Sequence, residues 1–117
     1  MYLIKFTADG LADVKALPKN VRNSPKKELL AKVAKDPEGC SEQLRGPLRD
    51  YSSFNFRRYR VVYRVFRDLG AVAIVGVGAH STPAREDVYR KLELLARSGK
   101  LAETMLLSMR GFTKHQE

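Results

Sequence analysis

The chain segment 59–79 restricts the fold more than any other part of the sequence. Residues Tyr59 to Phe66 alternate between two faces and are rich in β-branched and aromatic side chains, a composition that favours strands. Asp68-Leu69-Gly70 is a typical hairpin turn, and the segment from Ala71 to Val77 is apolar on both faces. A strand that is apolar on both faces belongs in the interior of a sheet. We therefore predict a β-hairpin whose second strand is central.

The N-terminal third has a different periodicity. Residues 2–7 are typical of a short strand, and Asp9 is a candidate N-cap for the helix that follows, because its carboxylate can accept from free N–H groups of a first turn. Apolar residues then recur at helical spacing until Pro18 ends the helix. Ser24-Pro25 begins a second helix, with serine as the cap and proline in the first turn. The turn residues Asp36-Pro37-Glu38-Gly39 close it, which predicts a helical hairpin.

The C-terminal half supplies one more strand and two more helices. Residues Tyr51 to Arg57 form a further predicted strand. A helix opens at Ala84-Arg85-Glu86-Asp87, with Asp87 as its cap or first-turn acid, and runs to about Arg97. Residues Lys100 to Met109 have apolar residues at four-residue spacing and predict a last helix.

The predicted order of elements is β-α-α-β-β-β-α-(α). Helices segregated from strands in this way are typical of the α+β class. We expect an N-terminal strand and helical hairpin packed on an antiparallel sheet, with a C-terminal helix or helices. Residues 1–98 form the predicted domain, and residues 99–117 form an extension that is helical and then frayed.

Charge narrows the class of partner. The 117 residues include 22 Lys and Arg against 13 Asp and Glu, a net charge of +9, and 44% hydrophobic residues exclude a wholly disordered chain. The excess favours nucleic acid first, an acidic protein second and a membrane surface third. A single cysteine, Cys40, excludes an intramolecular disulfide and suits a reducing cytoplasm, and we interpret it as a turn residue without a role. We expect no signal peptide and no membrane partner.

Arginine is concentrated where the strands are predicted. Seven arginines fall between residues 45 and 67, namely Arg45, Arg49, Arg57, Arg58, Arg60, Arg64 and Arg67. Alternation places Arg60 and Arg64 on one face of their strand, where guanidinium groups suit phosphate oxygens. The interleaved aromatic residues are candidate stacking surfaces for unpaired bases, namely Tyr51, Phe54, Phe56, Tyr59 and Tyr63. The alternative is a solvated basic face above ordinary core aromatics.

His80 follows the predicted central strand and could act as a general acid or base, or could simply cap a turn.

Gly76-Val77-Gly78 lacks the third glycine of a nucleotide-binding loop, so we interpret its glycines as packing residues. No metal-binding or nucleotide-binding motif is present, and we expect no metal and no cofactor.

Four short motifs in order resemble the RelE/ParE superfamily of bacterial and archaeal toxins. They are Leu44-Arg45-Gly46, Tyr59-Arg60-Val61-Val62-Tyr63-Arg64-Val65, Val75-Gly76-Val77-Gly78-Ala79-His80 and Asp87-Val88-Tyr89-Arg90. The resemblance covers about residues 2–96 and has the same order of elements. It implies a toxin of a type II toxin–antitoxin system, neutralised by an antitoxin in a hetero-oligomer. The favoured RelE-like branch implies a metal-independent endoribonuclease that cuts messenger RNA on the ribosome through attack of the RNA's 2′-hydroxyl.

The resemblance also implies site residues. Arg60 would bind the scissile phosphate, His80 would donate or accept a proton, and Tyr89 would stack on a base or orient the hydroxyl. Further arginines are expected to bind nucleic acid, namely Arg45, Arg57, Arg58, Arg64 and Arg85. An apolar groove for an antitoxin segment is a further hypothesis, against simple packing on the sheet, for four residues: Leu92, Leu95, Leu101 and Met105.

The sequence departs from typical members in two places before Ser98, and its tail after Ser98 is longer than in minimal members. Ser52-Ser53-Phe54-Asn55 stands where two lysines are usual, and Ser81-Thr82-Pro83-Ala84 is inserted between His80 and Arg85. Two alternatives therefore stay open beside the nuclease. One is a ParE-like toxin that inhibits DNA gyrase by binding, and the other is a degenerate member that binds only its antitoxin.

Overall fold

A five-stranded mixed sheet forms the centre of the protein in a computed structural model that describes residues 1–19, 27, 29–56, 59–79 and 87–108. The strands are β1 (Leu3–Phe6), β2 (Glu42–Gln43), β3 (Ser52–Phe56), β4 (Tyr59–Phe66) and β5 (Ala71–Ala79). Their spatial order is β1-β5-β4-β3-β2. The helices are α1 (Ala8–Lys15), α2 (Val88–Arg97) and α3 (Lys100–Ser108).

The predicted α+β class is confirmed, and β5 is central as expected. Its residues 71–77 are all buried between β1 and β4. The sheet is mixed and not wholly antiparallel, because β1 pairs with β5 in parallel, from Leu3 opposite Ala71 to Phe6 opposite Ile74. The two-residue strand β2 was not predicted, since two residues carry no periodicity.

The start of α1 corrects the predicted cap. Thr7 is the N-cap, and its hydroxyl oxygen accepts from the Gly10 N–H at 3.0 Å, whereas Asp9 lies in the first turn. Thr7 lies between the end of β1 and the first turn of α1 and is 1% exposed. Its hydroxyl therefore meets the free N–H groups of that turn, whereas Asp9 already lies within the turn. The predicted second helix start at Ser24-Pro25 lies outside the described residues.

The second helical segment is described at its C-terminal end. Leu29–Val33 forms a π-helical turn. The chain then turns at Asp36, whose carboxylate accepts from the Gly39 N–H at 3.1 Å. The predicted close at residues 36–39 is confirmed, and Cys40 lies in a turn as expected.

The two faces of the sheet carry two apolar clusters. The α1 face includes Leu17, Val33, Phe54, Val61, Tyr63, Val72, Ile74 and Val77. The α2 face includes Leu48, Tyr51, Val62, Ala73, Val75, Val88, Leu92, Leu101 and Met105. Strand β4 alternates between them as predicted, so Arg60, Val62, Arg64 and Phe66 share the α2 face.

Helix α2 crosses β5 at close range. A Cβ at Gly76 would stand 3.0 Å from Leu92 Cδ1, and one at Gly78 would stand 3.2 Å from Val88 Cβ. These two glycines are therefore packing residues, as predicted. Asp87 caps α2 as predicted, by accepting from the Tyr89 N–H at 2.8 Å, and the helix runs from Val88. The predicted opening at residues 84–86 lies outside the described part of the chain.

Helix α3 also packs on the α2 face. Leu101 and Met105 are each 3% exposed, at the predicted four-residue spacing, and Met109 lies beyond the described residues. The helix is separated from α2 by Gly99, whose φ of 81° lies in the left-handed region that favours glycine. None of the described helices is long and apolar enough to cross a membrane.

Candidate nucleic-acid interface

Strand register brings Arg60 and Asn55 together on the α2 face. The two residues are direct partners across β3 and β4, and Gly78 stands on the other side of Arg60 in β5. Directly opposed residues share a face and place their Cβ atoms about 5 Å apart. Asn55 is exposed and Arg60 is half-buried, and the Arg60 Nη1 donates to the Tyr59 carbonyl at 3.1 Å. A cationic and an amide side chain thus stand side by side at one end of the sheet.

Tyr89 reaches the same face from α2. Its hydroxyl lies 2.7 Å from the hydroxyl of Ser53, which is 2% exposed. Ser53 is opposite Val62, two residues along β4 from Arg60, a diagonal separation of about 7–8 Å. The structure therefore brings two of the predicted catalytic residues, Arg60 and Tyr89, to one face of the sheet. Tyr89 is held there against β3.

Arg64 lies farther along the same face. Four residues of strand separate it from Arg60, about 13 Å. Its guanidinium stands over the Phe66 ring, 5.1 Å from the centroid, and beside Tyr51. Burial raises the pKa of the Tyr51 phenol, and the neighbouring Arg64 opposes that rise. Arg64 belongs to the same surface but is packed against aromatic rings.

Arg45 stands apart from this group. It precedes the short 3₁₀ turn Gly46–Leu48, and its side chain is exposed beside that of Arg49 in a shallow pocket. Leu48 anchors the turn in the cluster on the α2 face. Arg67 does not belong to the basic surface around Arg60, because its guanidinium forms an ion pair with the Glu38 carboxylate. The same contact lowers the pKa of the exposed Glu38 carboxyl.

Four predicted site residues lie outside the described part of the chain, namely Arg57, Arg58, His80 and Arg85. The described residues next to three of these positions, Arg57, Arg58 and His80, are paired with one another in the sheet. Phe56 pairs with Tyr59, and Tyr59 pairs with Ala79, all at the end of the sheet that carries Arg60.

The predicted stacking surface is wrong for three of its five residues, and the side chain of Phe56 lies outside the described part of the structure. Tyr51 and Phe54 are each 6% exposed and Tyr63 is fully buried, so these rings are core residues and offer no face to a base. Tyr59 is partly buried against the cluster on the α1 face. The reason is that alternating aromatic residues in β3 and β4 fill both faces of a sheet that is covered on each side. Three of the four residues of the proposed apolar groove, Leu92, Leu101 and Met105, are buried packing residues, and the fourth, Leu95, is partly buried against the same cluster.

Ser53 and Asn55 are residues of this surface that the sequence analysis did not select. Their signal was the register, because a two-residue connection between Phe56 and Tyr59 sets Asn55 opposite Arg60 and Ser53 opposite Val62. Across the described ranges, no group of three or more His, Cys, Asp and Glu side chains is placed to hold a metal ion.

Comparison with known proteins identifies the family. The family model described as the ParE toxin of the type II toxin–antitoxin system parDE matches residues 4–83. The isolated Escherichia coli RelE toxin is 30% identical with a TM-score of 0.56, over 68% of this chain and 84% of that chain. A mutant E. coli RelE toxin in the free state is 27% identical with a TM-score of 0.61, over 82% and 96%.

A toxin–antitoxin complex has the same fold. The RelBE2 complex of Mycobacterium tuberculosis matches with a TM-score of 0.64 at 23% identity, over 67% of this chain and 96% of that chain. The sequence has no significant match among curated proteins. The predicted resemblance is confirmed: the chain belongs to the ParE toxin family of type II toxin–antitoxin systems, within the RelE/ParE superfamily.

Proposed function

We propose that this toxin is a ribosome-dependent endoribonuclease that cuts messenger RNA and is neutralised by a cognate antitoxin in a hetero-oligomer. The observation that supports it most is the pairing of Arg60 with Asn55 on the α2 face, next to the Tyr89–Ser53 contact. An always-charged guanidinium beside an amide and hydroxyl groups suits the sugar–phosphate backbone of RNA.

The reaction needs no metal. The 2′-hydroxyl oxygen of the RNA attacks the adjacent phosphorus and the bond to the 5′-oxygen breaks, which leaves a 2′,3′-cyclic phosphate and a 5′-hydroxyl. Arg60 stabilises the negative charge that develops on the phosphorane. His80 is assigned a proton transfer, as the base for the 2′-hydroxyl or the acid for the leaving oxygen, because arginine hardly deprotonates. Tyr89 orients the reacting nucleotide.

Further arginines are assigned to the RNA backbone. Arg64 continues the α2 face beyond Arg60, and Arg45 is exposed on the loop before β3. We extend this role to Arg57, Arg58 and Arg85 on the basis of sequence alone. Phosphate contacts of this kind position an RNA without reading its sequence.

A gyrase inhibitor that acts by binding is the second candidate, and a member that binds only its antitoxin is the third. The matching family model is that of ParE toxins, which favours the second candidate. Strand β3 also carries no lysine, so it offers no amine for proton transfer.

The test is primer extension on messenger RNA from cells that express the toxin without antitoxin. We expect new 5′ ends with the wild type, and a loss of about 100-fold to 1,000-fold in cleavage for Arg60→Ala. His80→Ala should also abolish cleavage. Arg67→Ala is the matched control, because it removes the same charge at the other end of β4, and it should cleave normally. Intact transcripts together with accumulated gyrase–DNA complexes would establish the second candidate instead.

A further inference from the structure

Strand β3 carries two adjacent serines whose side chains lie on opposite faces of the sheet. Ser52 is the partner of Tyr63, which belongs to the cluster on the α1 face. Ser53 is the partner of Val62, which belongs to the cluster on the α2 face. Ser53 is 2% exposed, whereas Ser52 is half-buried. Because opposed residues share a face, only the Ser53 hydroxyl lies on the side of the candidate nucleic-acid interface.

Tyr89 is held at both ends. Its backbone N–H donates to Asp87 Oδ1 at 2.8 Å at the start of α2, and its hydroxyl lies 2.7 Å from Ser53 Oγ on β3. The ring therefore spans the space between the helix and the strand. The χ2 torsion of a tyrosine is broad, so the bond at the hydroxyl end restricts an otherwise soft rotation of the ring.

Packing alone does not explain a serine at this buried position. A hydroxyl that is taken out of water costs free energy unless it is hydrogen-bonded. An alanine would fill nearly the same space without that cost. What distinguishes Ser53 from an alanine is therefore its bond to Tyr89, a residue assigned to the RNA in the proposed function.

Ser53 lies near Arg60 but is too buried to touch a bound nucleotide. Its partner Val62 is two residues from Arg60 along β4, which gives Ser53 and Arg60 a diagonal separation of about 7–8 Å. With 2% of its surface exposed, Ser53 acts on a ligand at Arg60 only through another side chain. Tyr89, which packs against the same cluster and bonds to Ser53, is that side chain.

We propose that Ser53 is a positioning residue, which fixes the orientation in which the Tyr89 ring meets the nucleotide beside the phosphate at Arg60. The proposal rests on the roles of Arg60 and Tyr89 in the proposed function. The geometry of a reacting complex is sensitive to such support, because a displacement of about 1 Å can cost about 100-fold in rate. A bond that only secured α2 to β3 would stabilise the protein and leave the cleavage of bound RNA unchanged.

The test measures single-turnover cleavage on ribosomes programmed with a defined messenger RNA. Binding is measured separately with the same messenger carrying a 2′-deoxy nucleotide at the cleavage position, which cannot react. We expect Ser53→Ala to lower the cleavage rate constant about 10-fold to 100-fold and to change the dissociation constant by less than about twofold, because Ser53 does not contact RNA. Ser53→Thr keeps the hydroxyl and should recover most of the rate. Ser52→Ala is the matched control, since it removes the same group from the other face, and it should cleave like the wild type.

The variant Tyr89→Phe shows whether Ser53 acts through Tyr89. The bond is already absent in that background, so adding Ser53→Ala should slow cleavage further by less than about twofold. Thermal midpoints above the assay temperature would show that all variants are folded. The proposal is overturned if Ser53→Ala cleaves at the wild-type rate, or if it slows cleavage equally with and without the Tyr89 hydroxyl.

A fluorescence readout separates this proposal from the nuclease proposal. The base 2-aminopurine, placed beside the 2′-deoxy position of the same messenger, changes its emission when an aromatic ring stacks on it. Wild-type toxin should quench it, Ser53→Ala should lose about half of this quenching or more, and Ser52→Ala should keep it. A toxin that binds ribosomes without cleaving would refute the nuclease, and the quenching would still decide the role of Ser53. Equal quenching by the wild type and Ser53→Ala would overturn that role, and a toxin that does not bind ribosomes would overturn both proposals.

Discussion

The Asp13 carboxylate accepts a hydrogen bond from the Val77 N–H on the edge of β5, beyond the point where β1 ends. Strand β1 ends opposite Ile74, and three residues later the Val77 N–H donates to Asp13 Oδ2 at 3.0 Å. The other carboxylate oxygen lies 3.3 Å from Lys91 Nζ. One side chain of α1 thus completes the central strand and also contacts α2, the helix that carries Tyr89.

Replacement of Asp13 should therefore cost more than a surface ion pair does. We expect Asp13→Ala to lower the free energy of unfolding by about 1–3 kcal/mol, because the buried Val77 N–H loses its acceptor. Asp13→Asn keeps an acceptor oxygen and should cost less. Lys91→Ala should cost less than about 1 kcal/mol, as expected for an exposed pair. Urea unfolding measures all three, and equal losses for Asp13→Ala and Lys91→Ala would contradict the role of the strand edge.

Tyr63 predicts how stability changes at alkaline pH. Its side chain is fully buried, its hydroxyl donates to the Pro37 carbonyl at 2.5 Å, and burial raises its pKa above the usual value near 10. The unfolded chain then loses this proton first. The contribution to stability is complete below about pH 10 and falls as the pH rises toward the folded pKa.

The matching variant is Tyr63→Phe. At neutral pH it should cost about 0.5–1.5 kcal/mol, since the Pro37 carbonyl keeps a second donor in Ser41 Oγ at 2.8 Å. Above pH 10 its stability should fall less steeply than that of the wild type. Urea midpoints measured from neutral to alkaline pH give both slopes, and parallel slopes would rule out Tyr63 as the group responsible.

The periodicity of the sequence predicted the fold correctly for strands in which each face packs in one kind of environment. The alternation of β4 correctly assigned Val61 and Val62 to opposite faces, and the wholly apolar β5 was correctly placed in the centre. The cap of α1 could not be predicted in the same way, because Thr7 and Asp9 are both good caps by residue type. Only the end of β1 decides which of them meets the free N–H groups.

The residues of the candidate site were harder to predict from the sequence than the fold was. Residue type identified Arg60, but the role of Asn55 depends on the pairing of β3 with β4, which a sequence read strand by strand does not contain. The role of the aromatic residues was predicted wrongly for a related reason, because the same tyrosines and phenylalanines suit both a stacking surface and a core. Helices on both sides of the sheet bury Tyr51 and Tyr63. That burial depends on tertiary packing, which the sequence of a single strand does not show.

The Tyr89–Ser53 contact should be measurable as a coupling energy. Tyr89→Phe leaves the buried Ser53 hydroxyl without this partner, and we expect a loss of about 1–2 kcal/mol in unfolding free energy. Ser53→Ala removes the other member. In a double-mutant cycle the two changes should couple by about 0.5–1.5 kcal/mol, because the second change costs less once the first is made. Additive losses would mean that the two hydroxyls do not bond in solution.

Salt dependence separates a phosphate contact at Arg60 from a structural role. Each phosphate that a protein neutralises releases counterions, so the logarithm of the binding constant falls linearly with the logarithm of salt concentration. Arg60→Ala should make the slope for ribosome binding shallower by about 1, whereas Arg67→Ala should leave it nearly unchanged because Glu38 already pairs with Arg67. Arg60→Lys keeps the charge and should preserve the slope, but it should cleave RNA more slowly because an ammonium cannot bind two phosphate oxygens in the planar geometry of a guanidinium. A slope for Arg60→Ala equal to that of the wild type would remove Arg60 from the RNA interface and leave its pairing with Asn55 as a feature of the sheet alone.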